Sequence, residues 1–294
     1  MDRILVFFCK LIARLPFRII YGLSDIFYVL VFHVIRYRRK DVHMNLTRSF
    51  PEKSPEEIRQ IMKKFYHHLC DLGLETIKLS RMSEEEMGKR ITLHGDNSLY
   101  DYYNQGRSYI LLGMHYNNWE WCLFLQSYLK STFYVVYNPV RSNKALEKFI
   151  LDARSRFGAQ LVAVHQSVRT ALEFNKVNSS RCLVLLADQT PPANSQFWTN
   201  FLNQETAFFA GPMKIAIKTN LPIAFHYIRK TGRGYYEAYC DTLIENPSMY
   251  TEEEITMMYI RKMEEIIKAE PEYWLWSHRR WKHKRPVLKK MYTS

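Results

Sequence analysis

Tyr109–Leu125 reads YILLGMHYNNWEWCLFL, and this run decides the fold. Tyr109 to Met114 is short, apolar and preceded by Gly106, the pattern of a strand buried on both faces of a parallel sheet. His115 follows at its carboxyl end. Asn117 and Asn118 are good helix N-cap types, and from Trp119 to Lys130 apolar residues recur at helical spacing, so the order is strand, short loop, helix. Open α/β sheets bind ligands at that end of their strands. His115 and Glu120 are five residues apart, which on one continuous helix rotates them about 140° from each other. A loop histidine and a first-turn glutamate, by contrast, can meet. Such a pair suits general-base work: the carboxylate holds one imidazole nitrogen protonated and offsets the charge that develops when the other takes a proton. In the plainer reading Glu120 complements the helix dipole and His115 bonds to backbone. Spacing alone leaves both open.

Upstream, Met1 to Lys40 holds two apolar runs, Ile4–Phe8 and Ile19–Ile35, and closes on Arg36, Arg38, Arg39 and Lys40. The second run has 17 residues, near the lower limit for a membrane span, and Asp25 and His33 interrupt it. Arg18, Gly22 and Asp25 share one helical stripe, so besides spanning, the segment could equally lie in the interface plane or pack on the globular body. No small-residue cleavage site follows it. Residues 1–40 therefore read as a membrane-associated segment and 41–294 as one catalytic domain. Ser54, Pro55, Glu56 and Glu57 start a helix that runs to about Leu79, with His67 and His68 pointing about 100° apart and so unsuited to one metal.

Downstream, Thr132–Tyr137 reads as a strand, Lys144–Phe157 as an amphipathic helix containing Arg154, and Gln160–Val164 as a strand. Cys182–Ala187 is another buried strand, running straight into Asp188-Gln189. By the same sheet logic that pair borders the His115 crevice. Pro191-Pro192 enforce an extended loop, and Ile223–Tyr227 with Tyr235–Tyr239 form a hairpin at a sheet edge. A long helix over Thr251–Ala269 precedes PEYWLWSHRRWKHKRP, in which three tryptophans alternate with basic residues. That mixture fits a membrane interface or single-stranded nucleic acid.

With 294 residues, 47% hydrophobic and 15% aromatic, the chain buries a full core and is not disordered. A net charge of +13 favours a polyanionic partner: nucleic acid, an anionic membrane surface or a phosphorylated substrate. Five widely spaced cysteines without a C-x-x-C read as reduced thiols, which points to a cytoplasmic catalytic face. P-loop, H-E-x-x-H and phosphate-cradling glycine motifs are missing.

HYNNWE resembles the H-x4-D/E motif of the lysophospholipid acyltransferase superfamily. Its N-N-W-E-W setting is similar to the bacterial lipid A biosynthesis acyltransferases, the lauroyl and myristoyl transferases. Other segments resemble that family in the same order: Asn45-Leu46 with Phe50-Pro51, Gly73 and Glu75, Arg154 with Phe157-Gly158, Asp188-Gln189, Phe208-Phe209 with Gly211, and the Trp274–Lys282 close. One position departs. Where the family has Tyr-Arg-Pro, this chain has Tyr137-Asn138-Pro139, with Arg141 two residues on.

The resemblance implies an α/β fold with a mixed central sheet flanked by helices, as in the glycerol-3-phosphate and lysophospholipid acyltransferases, preceded by an N-terminal membrane-associated helix. It implies O-acyl transfer from a thioester, with acyl carrier protein or acyl-CoA as donor, to a hydroxyl of a lipid A precursor at the cytoplasmic face of the bacterial inner membrane. His115 would be the base and Glu120 its orienting partner. Asn118, Arg141, Arg154, Asp188 and Gln189 would bind substrate. No metal, no cofactor and no nucleic acid enter this reading. Two rivals stay open: acylation of another lysolipid or an aminolipid, and a basic protein that binds membranes or nucleic acid without chemistry.

Overall fold

Nine strands organise the described residues: β1 (Ile91–Gly95), β2 (Tyr109–Gly113), β3 (Thr132–Tyr137), β4 (Gln160–Ala163), β5 (Arg181–Leu186), β6 (Phe197–Phe201), β7 (Gln204–Phe208), β8 (Ile223–Gly232) and β9 (Tyr235–Ile244). The structure, a computed structural model, describes residues 2–139, 143–287 and 289–292. Seven strands form one mixed sheet in the order β1-β9-β8-β2-β5-β3-β4, which puts β2 at its centre. β2 runs parallel to both neighbours, β5 and β8. All of its residues are buried. Ile110 and Leu112 join one apolar layer while Tyr109 and Leu111 join the other, as alternation along a strand requires. Both faces are covered, which is why the strand reads as an unbroken apolar run.

Three expectations need correction. The β8–β9 hairpin is not the sheet edge: β1 pairs in parallel with β9 and covers it. The helix expected over Trp119–Lys130 begins later, as a 3-10 turn Trp121–Phe124 followed by Leu125–Leu129. Every residue from Trp121 to Leu125 is buried, so the segment lacks the solvated stripe of a surface helix. Between Phe197 and Phe208 the chain forms the β6–β7 hairpin instead of a plain loop. Its turn residues, Leu202 and Asn203, both sit at positive φ (50° and 60°). Asn tolerates that region and Leu rarely enters it, so the turn had no clear signal.

Helices cover the sheet on both sides. Pro55–Leu79 opens on a capping box between Ser54 and Glu57, and Glu252–Ala269 on one between Thr251 and Glu254. At the N-terminus, Phe17–Tyr28 continues as a π-helical stretch, Val29–Val34. Phe17–Val34 is the one helix among the described residues long and apolar enough to cross a membrane, and 22% of it is buried. Phe17, Ile20, Ser24 and Phe32 face the body, where the Ser24 hydroxyl donates to Asp71 Oδ1 at 2.7 Å. Asp25 receives Arg233 Nη2 at 2.6 Å. The opposite face leaves Ile26, Val29, Val34 and Ile35 exposed.

Candidate active site

Strand register builds the site. β2 and β5 pair in parallel with Gly113 opposite Leu186, and each strand delivers a polar side chain two residues later, His115 and Asp188. Two residues past a matched pair of parallel strands, the side chains are neighbours. His115 Nδ1 lies 2.7 Å from Asp188 Oδ1, and the His115 amide donates to Asp188 Oδ2 at 3.0 Å. Trp274 Nε1 donates to the same Oδ2 at 2.9 Å.

The imidazole is 18% exposed and the carboxylate 2%. Burial by itself raises the Asp188 carboxyl, but the His115 ring, Trp274 and the His115 amide outweigh it and hold the group below its ordinary value. An ionised carboxylate only accepts, so Nδ1 carries a proton, and in the singly protonated ring Nε2 presents a lone pair. Gln189 Nε2 sits 3.0 Å from His115 Nε2 and donates to that lone pair.

The pairing expected between His115 and Glu120 is therefore replaced by one between His115 and Asp188. Glu120 instead accepts from Arg154 Nε at 2.8 Å and Arg154 Nη2 at 2.5 Å, with Trp119 Nε1 on its Oε1 at 3.2 Å. This is a bidentate fork on a buried carboxylate. Burial alone lowers the Arg154 guanidinium, and Glu120 reverses the sign, leaving it raised.

Both groups still border one cavity of about 290 Å³. His115, Trp119, Glu120, Arg154 and Gln189 form its polar rim, and Leu123, Val135, Ile150, Leu151, Val184 and Leu186 its apolar wall. Asn138, at the family's arginine position, lines it too. Arg141 lies outside the described residues.

Asn118 is wholly buried and contacts Glu75 Oε2 at 2.6 Å, so it stands behind the site and not in the cavity wall. Asp188 likewise lies behind the imidazole, bonded to protein groups, and is not part of that wall. Asn117 sits at φ 53° and gives its backbone amide to Tyr273 O at 2.9 Å.

The closing segment divides between core and surface. Trp274, Trp276 and Arg280 are buried behind the site, whereas Arg279, Lys282 and Lys284 are exposed. Leu275 N donates to His115 O at 3.1 Å, and Thr190 N to His278 Nε2 at 3.0 Å. Burial pushes His278 down to about 4, so it is a neutral acceptor there. Burial also pushes Arg280 down to about 10, against the attraction of Asp188 and Tyr259. Trp274, His278 and Glu75 lie in segments that resemble the family, but nothing in the sequence hints at these contacts beyond an acid, Glu75, within the apolar stripe that Leu72 and Leu79 mark on one helix.

The fold and site define a class, that of mixed-sheet α/β proteins with a histidine bound to a buried carboxylate at the mouth of a largely apolar cavity. The chain belongs to the bacterial lipid A biosynthesis acyltransferase family: the family model described as "Bacterial lipid A biosynthesis acyltransferase" matches residues 1–283. It is also 21% identical over 279 residues to a "Lipid A biosynthesis acyltransferase" of Haemophilus influenzae, an alignment covering 92% of this chain and 84% of that protein. Membership makes it an acyltransferase, which requires an acyl donor and a lipid acceptor.

Proposed function

We propose that the protein moves a fatty acyl group from the thioester of acyl carrier protein, or of coenzyme A, to a hydroxyl of a lipid A precursor, with His115 as general base. The carrying observation is that Nδ1 is clamped by Asp188 while Nε2 turns toward the apolar cavity rim. In this mechanism the acceptor hydroxyl displaces Gln189 from Nε2. The imidazole takes the hydroxyl proton as the oxygen attacks the thioester carbonyl. Collapse of the tetrahedral adduct breaks the C–S bond, and the leaving thiolate takes the proton from the imidazolium. Asp188 offsets the charge on the ring throughout. The acyl chain occupies the wall of Leu123, Ile150, Leu151 and Val184. Glu120 and Arg154 form the rim beside it. General-base catalysis supplies roughly 10²- to 10⁴-fold, and positioning supplies more.

The reaction would take place at the cytoplasmic face of the bacterial inner membrane, with Phe17–Val34 lying in the interface plane. Five buried free cysteines suit that reducing compartment. A helix whose inner face is bonded to Asp71 and Arg233 stays with the body, and its exposed face meets lipid.

One observation favours a second acceptor class. Among the described residues lining the cavity, Arg154 is the cation, and Glu120 already holds it. Asn138 is neutral, so a lysolipid or aminolipid without a phosphate near its hydroxyl also fits.

Purified protein incubated with acylated carrier protein and each acceptor, read by mass spectrometry, separates these. His115→Ala should lose acyl transfer while keeping expression and membrane sedimentation. Retained turnover removes His115 as the base.

A further inference from the structure

Glu75 is a carboxylate with no solvent exposure at all, on the helix Pro55–Leu79. Three donors from three other parts of the chain converge on it. Tyr21, on the N-terminal helix, donates to Oε1 at 2.8 Å. Tyr236, on β9, donates to Oε2 at 2.7 Å, and Asn118, three residues past His115, donates to the same oxygen at 2.6 Å. All three donors are neutral. Burial pushes the carboxyl up to about 7 even with these bonds in place. A buried acid held only by neutral donors is costly, and an apolar residue of similar volume is often no worse for stability.

What the acid does supply is a fixed point for the loop. Asn118 Oδ1 in turn accepts from Trp121 N at 3.3 Å, and the Trp121 ring stands edge-on to both Phe17 and Tyr236. Asn117 turns the chain through the left-handed region at φ 53°, which asparagine tolerates, and the Asn118 bond to Glu75 anchors the residue that follows this turn.

We infer that Glu75 is a positioning residue for His115, acting through Asn118, and that Tyr21 makes the N-terminal helix a working part of the active-site loop instead of a detachable anchor. This rests on the reading of His115 as the base. It also gives the two faces of one helix separate jobs. The face carrying Phe17, Tyr21 and Ser24 fixes catalytic geometry, and the face carrying Ile26 and Val34 meets lipid.

The test uses the full chain in detergent with acylated carrier protein. Tyr21→Phe removes one hydroxyl and should lower kcat about fivefold with KM unchanged, the weight of one hydrogen bond. Glu75→Ala should lower kcat about a hundredfold, as for a small displacement of a catalytic group. Glu75→Gln keeps the volume and an acceptor oxygen and should recover most of that loss. Ile26→Ser should weaken vesicle binding and leave kcat in detergent at the wild-type value.

The imidazole NMR resonances of His115 give a readout that needs no turnover, and they should shift in Tyr21→Phe and Glu75→Ala. If His115→Ala retains turnover, the base assignment fails, yet these resonances still decide the positioning role. Should Glu75→Ala fail to fold, Tyr21→Phe and Glu75→Gln carry the test. Wild-type kcat together with unmoved His115 resonances in folded Tyr21→Phe and in the folded Glu75 variant would overturn the inference.

Discussion

Asp188→Asn is the sharpest perturbation the geometry offers. The carboxylate holds His115 Nδ1–H at 2.7 Å and also accepts from the His115 amide and Trp274. An amide of the same shape keeps the volume but loses the charge. At an effective dielectric near 20, opposite unit charges about 4 Å apart attract by about 4 kcal/mol. That attraction exists only once the ring is protonated, so its loss falls on the transition state and amounts to about three orders of magnitude in kcat. A second loss follows if the amide nitrogen faces Nδ1, because the ring must then flip its tautomer and Nε2 can no longer accept the substrate proton. The expected result is a drop in kcat of about 10³- to 10⁴-fold with KM within a few fold, measured by single-turnover acyl transfer. Glu120→Gln serves as the companion. It breaks a fork to Arg154 and not a bond to the imidazole, so its effect should be smaller and fall partly on KM. If Asp188→Asn keeps kcat within tenfold while Glu120→Gln abolishes it, the His115–Asp188 pair is not the catalytic one. Glu120 would then have to swing from Arg154 to the ring when substrate binds.

Two further outcomes follow from burial. His226 and His68 are pushed by burial down to about 4 and about 3 from 6.5, so the stability they contribute is present above pH 6.5 and lost as pH falls toward those values. Glu75, raised by burial from 4.5 to about 7, acts in the opposite sense: its contribution is present below pH 4.5 and lost as pH rises through about 7. Urea midpoints should therefore fall between pH 6.5 and 4.5, and Glu75→Gln should steepen that fall by up to about 1.4 kcal/mol per pH unit. An unchanged slope in the variant would mean that Glu75 does not titrate in this range. For the membrane geometry, single fluorophores at residues 26 and 34, quenched by lipid-borne quenchers, should report equal depth. Spanning would separate them by about 12 Å along the helix axis.

Much of the fold was legible because the strands are buried on both faces. Tyr109–Gly113 and Arg181–Leu186 announce themselves as apolar runs that end abruptly in polar residues, and those ends are where the site lies. Ser54 with Pro55, Glu56 and Glu57 marked the start of one long helix, and the structure adds that the other opens on a capping box between Thr251 and Glu254. Where local signals were weak the reading failed. Leu202 gives no hint of a left-handed turn, and nothing within Ile91–Gly95 says that it will close the sheet beside β9.

The partner of His115 was hidden for a different physical reason. His115 and Glu120 are near in sequence, so spacing suggested them, whereas His115 and Asp188 are 73 residues apart and meet only because β2 and β5 are adjacent, parallel and in one register. A slip of one residue in that pairing would turn Asp188 to the other face of the sheet. Register in turn depends on which faces are apolar, a property spread over both strands and the helices that cover them. The geometry proposed for catalysis is thus a consequence of core packing: Leu111 beside Val184 and Leu112 beside Leu185 set the alignment that brings an imidazole and a carboxylate to bonding distance. Substitutions that disturb these apolar pairs should therefore damage catalysis before they damage the fold.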